Sequence, residues 1–454
     1  MDVLTFSRLQ FGDTAAFHIL WPIMSIGLSL YMLVMEVAWL YTGNESYYRQ
    51  LRFWTKIFIL TFAMGTASGI PLQFEFGTNW AAFSAATGDF FGNILGFEST
   101  VAFALEAAFL GIFVFGWNKV GRGAHLFANA MIFVGATLSA FWIMAANSWM
   151  QIPVGVVVEG SKLIVSDYMA AIFNPGTIVS FLHMWVACIE STLFMMTGIC
   201  AMVLLFGTRD TAQREFFLTA FKYCVALAII IVPIQLGIGH VSGETVAKYQ
   251  PAKLAATELH WDTNAPGTGA ALNLFAWPAA EGGRNSFALA IPGGLSFITT
   301  VPQDGVVRGL NSFPAADRPT TLEATIVFYS FRLMVGIGVV LLLLMFAGAW
   351  YWGKGRLTLA KIDKHRVFWW LWVLALPLGF IATEAGWMVR EIGRQPWVVY
   401  NLMRTSEGLS SNLNVVTVAA TTIIFTLLYL IFGALFIYFT YRIVKKGPDL
   451  TTPV

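Results

Sequence analysis

The sequence predicts an all-α polytopic membrane protein: a bundle of nine transmembrane helices, N-terminus outside and C-terminus cytoplasmic, with one long outer loop between helices six and seven. Three observations predict it. Of 454 residues, 57% are apolar and 11% charged, less than half the roughly 25% charged share of a soluble domain. Nine separate segments stay apolar for the roughly 20 residues that a bilayer crossing needs. Lysine and arginine fall mostly on one side of the resulting topology. The composition excludes a disordered chain and an ordinary cytosolic enzyme, and a net charge of +2 excludes nucleic acid as a partner.

The first apolar run has no basic segment before it and is too long for a signal peptide, so 14–39 is read as a retained span. Spans follow at 54–74, 94–117, 126–146, 176–206, 216–240, 322–352, 367–390 and 415–443. Pro71 and several glycines interrupt the ends of the second and third. Arg49, Arg52 and Lys56 follow the first span; Lys119 and Arg122 follow the third; Arg209, Arg214 and Lys222 follow the fifth. Lys354, Arg356, Lys361, Lys364 and Arg366 follow the seventh, and Arg442, Lys445 and Lys446 close the chain. The N-terminus and the short loops of the opposite side hold only Arg8, Lys162, Arg390, Arg394 and Arg404. Short basic loops remain in the cytoplasm, which orients the bundle.

The chain thus divides into 1–240 with six spans, an outer loop at 241–321, and 322–454 with three spans and a cytoplasmic tail. A connection of that length is functional or disordered. Within it, KYQPAKLAATELHW (248–261) predicts a short surface helix after Pro251 in an otherwise irregular domain. No internal repeat supports an inverted-repeat transporter. Cys188, Cys200 and Cys224 sit in apolar runs without paired spacing and read as inert thiols.

Ionisable residues inside spans are costly and mark pathways or cofactors. His18 and His183 are each either bonded to a backbone carbonyl or a metal or haem ligand. Arg332, inside an apolar helix, needs an anion such as a haem propionate, which gives its neighbour Met334 weight as a ligand beyond core filling. Glu98 and Glu106 are eight residues apart, about 12 Å of depth on an α-helix. They read as a proton relay or as structural partners of a cation. Glu384 and Glu391 share a face with Trp387 between them; Glu190 shares one with His183; Glu36 reads as solvated. His18, Glu98, His183 and Glu391 converge on the outer leaflet, with Met334 somewhat deeper. Six histidines in all, with His125, His260 and His365 in predicted loops, are too few for a haem–copper oxidase core. A dihaem electron-transfer subunit and a proton-coupled transporter remain compatible with these residues.

SRLQFGDTAAFH (7–18), FEFGTNWAAFS (74–84), LSAFWIMAANSWMQ (138–151), QPAKLAATE (250–258) and EAGWMVREIGRQPW (384–397) together resemble subunit I of cytochrome bd-type quinol oxidases, in order across nearly the whole chain. The resemblance implies a quinol:oxygen oxidoreductase of the bacterial cytoplasmic (inner) membrane. It would oxidise ubiquinol or menaquinol outside and reduce O2 to water with cytoplasmic protons, building a gradient without pumping. It implies two b haems, one low-spin and one high-spin, and a haem d. His183 and Met334 match the low-spin ligands; His18 and Glu391 match those of the high-spin haems. Glu98, Glu106 and Ser139 match the oxygen-side carboxylate and proton path. Lys253 and Glu258 match the quinol pair of the long loop, the Q-loop. Arg8, Arg332 and Arg394 match propionate partners, and Trp387 stands beside the haems. A second membrane subunit, with or without a small single-span one, is implied. The loop lacks the insertion of longer members, which places the chain with the short-loop, cyanide-insensitive group, some of which lack a clear haem d signature. His240 stands where other members carry Asp and reads as a proton-release group or a helix cap.

Overall fold

The structure, a computed structural model, describes residues 2–207, 210–299 and 305–451; Arg209, counted in the charge asymmetry, lies outside them. Nine helical stretches among these residues are long and apolar enough to cross a membrane. They are α1 (Val3–Thr42), α2 (Glu45–Thr78), a broken third span made of α3 (Ala81–Thr87), α4 (Asn93–Phe97) and α5 (Ala104–Phe115), then α6 (Arg122–Gln151). After α7 (Tyr168–Ile172) come α8 (Thr177–Phe206) and α9 (Thr211–Tyr249). The long loop holds α10 (Pro251–Glu258) and α11 (Gly294–Ile298). α12 (Thr321–Gly353), the pair α13 (Arg366–Ala375) and α14 (Leu378–Ile392), and α15 (Val415–Lys446) complete the bundle. Three antiparallel hairpins decorate one end: β1 (Val156–Glu159) with β2 (Lys162–Val165), β3 (Leu272–Pro278) with β4 (Asn285–Ile291), and β5 (Trp397–Val399) with β6 (Met403–Arg404).

The helices run past the predicted apolar limits because capping residues set their starts. Asp2, Asn44 and Asn414 accept from the first free N–H groups of α1, α2 and α15. Thr320 and Glu323 form a reciprocal capping box on α12. Two widened π-helical turns, Gly88–Gly92 and Glu98–Phe103, break the third span, so the regular α-helical spacing expected between Glu98 and Glu106 does not hold. The loop also departs from expectation. α9 continues past His240 to Tyr249, so His240 caps nothing. Far from lying on a surface, α10 is buried from Ala252 to Glu258. A hairpin, β3–β4, replaces the irregular chain.

α8 is the central helix, buried without interruption from Cys188 to Ala201. Small residues let its neighbours approach, as in other membrane bundles. A Cβ at Gly27 of α1 would stand 2.3 Å from Thr192, and one at Gly379 of α14 would stand 2.5 Å from the Ser191 Cα. α15 is the most exposed span. It packs chiefly on α1, where Phe17 stacks on Tyr429 at 4.7 Å.

Candidate functional site

His18 lies on the α1 face toward α2. Its Nδ1 is 2.9 Å from Ser68 Oγ, whose own proton goes to the Gly65 carbonyl at 3.2 Å. Ser68 therefore accepts from Nδ1–H, and the Nε2 lone pair is left for a metal. A Cβ at Gly69 would stand 3.2 Å from His18 Cε1.

His183, on α8, faces α9, where a Cβ at Gly239 would stand 3.3 Å from its Cε1. The Gln235 amide is 3.3 Å from His183 Nδ1, and its oxygen is buried without a partner. The amide orientation in which that oxygen accepts Nδ1–H satisfies both groups and again frees Nε2. Met334, on α12, points at α14, where a Cβ at Gly386 would stand 2.9 Å from the Met334 Sδ. Two residues earlier, Arg332 is committed elsewhere. It donates to Asn273 O (2.8 Å) and forms a bidentate pair with Glu258 on α10. Arg8 likewise pairs with Glu323 at 3.0 Å.

At the end of α14, Glu391 is held by three donors. Asn147 (2.8 Å) and Gln151 (3.3 Å) donate to Oε1, and Arg394 donates to Oε2. A carboxylate offers about four lone-pair sites, so one remains. Arg394 is buried, and its Nε and Nη1 have no partner; nor does the buried Trp387 Nε1. Arg390, which the sequence marked only as an outer-side charge, ties α14 to Asn147 and to Ser180 and Ser148, the latter two at 3.0 Å. Lys253 of α10 enters the same network, donating to Gln151 Oε1 (2.5 Å) and Arg390 O (2.9 Å). Burial, with Arg390 and Arg394 nearby, pushes its ammonium well below the usual lysine range. Burial pushes the Glu258 carboxyl up, and Arg332 works against that. Lys253 and Glu258 thus face opposite neighbours instead of forming a pair, since five residues on an α-helix turn about 140°.

On the third span, Ser139 of α6 donates to Glu98 at 2.6 Å. Glu106 lies deeper, with Oε1 buried and unpartnered. Glu36, expected to be solvated, is instead 1% exposed. Its oxygens meet His125 Nδ1 (2.6 Å) and Asn129 (2.7 Å). His125, expected in a loop, lies on α6 and gives its other ring proton to Phe113 O at 2.9 Å. Nothing local in the sequence links two residues so far apart. His240 lies 3.8 Å from Glu244 on the exposed side of α9.

Helices that bring two histidines and a methionine against glycines of their neighbours, with a carboxylate and buried unpaired donors on the same bundle, have the architecture of a multi-pass membrane protein suited to redox cofactors. The profile of the family described as "Cytochrome bd terminal oxidase subunit I" matches residues 6–448. The Bacillus subtilis protein "Cytochrome bd ubiquinol oxidase subunit 1" is 33% identical, covering 99% of this chain and 95% of that one. "Cytochrome bd-II ubiquinol oxidase subunit 1" of Escherichia coli is 33% identical, covering 99% and 97%. The solved bd oxidase of Geobacillus thermodenitrificans superposes with a TM-score of 0.87 at 29% identity, over 98% of this chain and 99% of that one. The chain belongs to the cytochrome bd terminal oxidase subunit I family.

Membership implies haem, and the residues fit it. Three potential ligands, His18, His183 and Met334, face gaps that a single Cβ would fill. Arg394 has two N–H groups free for a propionate. Arg8 and Arg332, by contrast, already have carboxylate partners.

Proposed function

We propose that this chain is the haem-carrying subunit of a two-subunit quinol:oxygen oxidoreductase in the bacterial cytoplasmic membrane. Its N-terminus and long loop face outward, as the lysine and arginine distribution supports. The observation that carries the reading is the set of glycine gaps opposite His18, His183 and Met334, in a chain matched over its full length to bd oxidase subunits. Haem, when bound, supplies one-electron transfer and an iron at which O2 is reduced. His183 and Met334 would hold the low-spin b haem; His18 and Glu391 would hold the high-spin b haem and a haem d. The unpartnered Arg394 nitrogens would take a propionate, and Trp387 Nε1–H is likewise buried without a partner.

Quinol is oxidised at the long loop, around α10. Lys253, whose ammonium burial pushes well below the usual lysine range, is suited to exchange a proton with a quinol hydroxyl. Glu258 is held ready by Arg332. Protons for water formation enter from the opposite side and pass Glu106, then the Ser139–Glu98 pair. Release outside and uptake inside separate charge without a pump. Subunit II, with or without a small single-span subunit, completes the complex.

A reduced-minus-oxidised spectrum of the purified complex, combined with oxygen uptake on added quinol, tests this reading. Haem bands and quinol-driven uptake that tolerates cyanide are expected. A haem-free protein, or haem without quinol-driven uptake, would refute it.

A further inference from the structure

Two facing stripes of polar residues join α1 to α2. Gln10, Thr14 and His18 recur every four residues on α1, one face of a helix. Asn79, Glu75 and Ser68 lie on one face of α2. The stripes meet in three rungs: Asn79 donates to Gln10 at 3.3 Å, Thr14 to Glu75 at 2.6 Å, and His18 to Ser68 at 2.9 Å. α15 closes the side. Thr421 donates to Gln10 at 3.0 Å, and Tyr429 to Thr14 at 3.1 Å.

The middle rung is the unusual one. Glu75 is 1% exposed, and its Oε2 is buried without any partner. No Lys, Arg or His pairs with it among the described residues. The ionisable groups around it are Asp13 on α1 and Tyr429 on α15, while α3 presents none. Asp13 is engaged by Thr426 at 2.6 Å. A carboxyl in apolar surroundings that lacks a counter-ion is costly as an anion. Its hydroxyl neighbours form a directed chain, Tyr429 O–H to Thr14 O–H to Glu75 Oε1, along which a proton can move by hydroxyl rotation. Thr14 stands one turn from His18, about 6 Å along the axis.

We propose that Glu75, served by Thr14 and Tyr429, is a proton-holding site that takes up and returns one proton as the charge beside His18 changes. Its ligand is the proton itself, and the site is separate from the Glu98–Glu106 path. The proposal rests on His18 facing a redox-active haem, and the experiment separates the two.

Redox-induced infrared difference spectra are recorded on the haem-loaded complex in nanodiscs. The wild type should show a protonated-carboxyl C=O band that shifts in D2O and disappears in Glu75→Gln. Thr14→Val, which keeps the shape and removes the hydroxyl, and Tyr429→Phe should shift that band. Asp13→Asn should leave it in place. A band that survives Glu75→Gln with the haem spectrum intact, or that vanishes in Asp13→Asn instead, overturns the proposal. If Glu75→Gln does not retain haem, Thr14→Val decides: an unshifted band overturns the assignment. The His18 reading fails differently, by His18→Ala leaving the visible haem spectrum unchanged.

Discussion

Lys253→Met tests the most unusual feature of the long loop, an ammonium-bearing side chain 4% exposed. In an unfolded chain this group titrates near 10.5, and in the fold burial lowers that well below. Between those two values the unfolded state binds a proton that the folded state lacks, so stability rises with pH. The slope is about 1.4 kcal/mol per pH unit wherever the pH lies between the folded and unfolded values, an interval that ends near 10.5. Methionine keeps an aliphatic stem against Gly393, where a Cβ would stand 2.8 Å from Lys253 Cγ, and it cannot titrate. The variant leaves Gln151 Oε1 and Arg390 O without this donor, at about 1–3 kcal/mol each, a cost that does not vary with pH. Parallel thermal melts of wild type and variant across that window, followed by tryptophan fluorescence, therefore separate an offset from a slope. The difference should change steadily with pH in favour of the wild type. Parallel lines would refute the reasoning, because they would mean that the two acceptors fully compensate the buried charge.

Three further substitutions probe the site. Met334→Leu should remove or shift the low-spin haem band while the fold is kept; an unchanged reduced-minus-oxidised spectrum would contradict its ligand role. Gly69→Val should expel the haem at His18, because even a Cβ stands 3.2 Å from the ring; pigment extraction should then find one haem fewer per complex. Glu258→Gln strands Arg332, whose side chain is 19% exposed, and should cost about 3 kcal/mol, the lower end for a broken buried pair. Limited proteolysis should register it as faster cutting within the long loop, whereas wild-type resistance would show that Asn273 O alone satisfies the guanidinium.

The nine spans were legible because lipid demands a continuous apolar stretch, a signal that survives without any alignment. Their ends were not legible, since α1, α2 and α9 continue as helix beyond their apolar runs, with polar caps that hydropathy does not weigh. Candidate ligands could be read as polar residues in the wrong solvent. What holds them could not be read, because the partner of His18 is Ser68 and that of Glu36 is His125, each on another helix. Gly69, Gly239 and Gly386 carry a signal only once a neighbouring helix is in place to be approached. The π-helical turn at Glu98–Phe103 leaves no mark in hydropathy at all.

α10 reaches both helices that carry candidate ligands. Its Lys253 side grips the end of α14 through Gln151 and the Arg390 carbonyl, beside Glu391. Its Glu258 side grips Arg332 on α12, two residues from Met334. One buried helix of eight residues thus spans the two helices that carry Met334 and Glu391. A substitution at either end of α10 therefore reaches a candidate iron ligand through at most two side chains. For that reason Lys253 and Glu258 variants call for haem spectra alongside quinol kinetics. A raised quinol requirement with altered bands locates the defect in ligand geometry, and one with unaltered bands locates it in quinol contact.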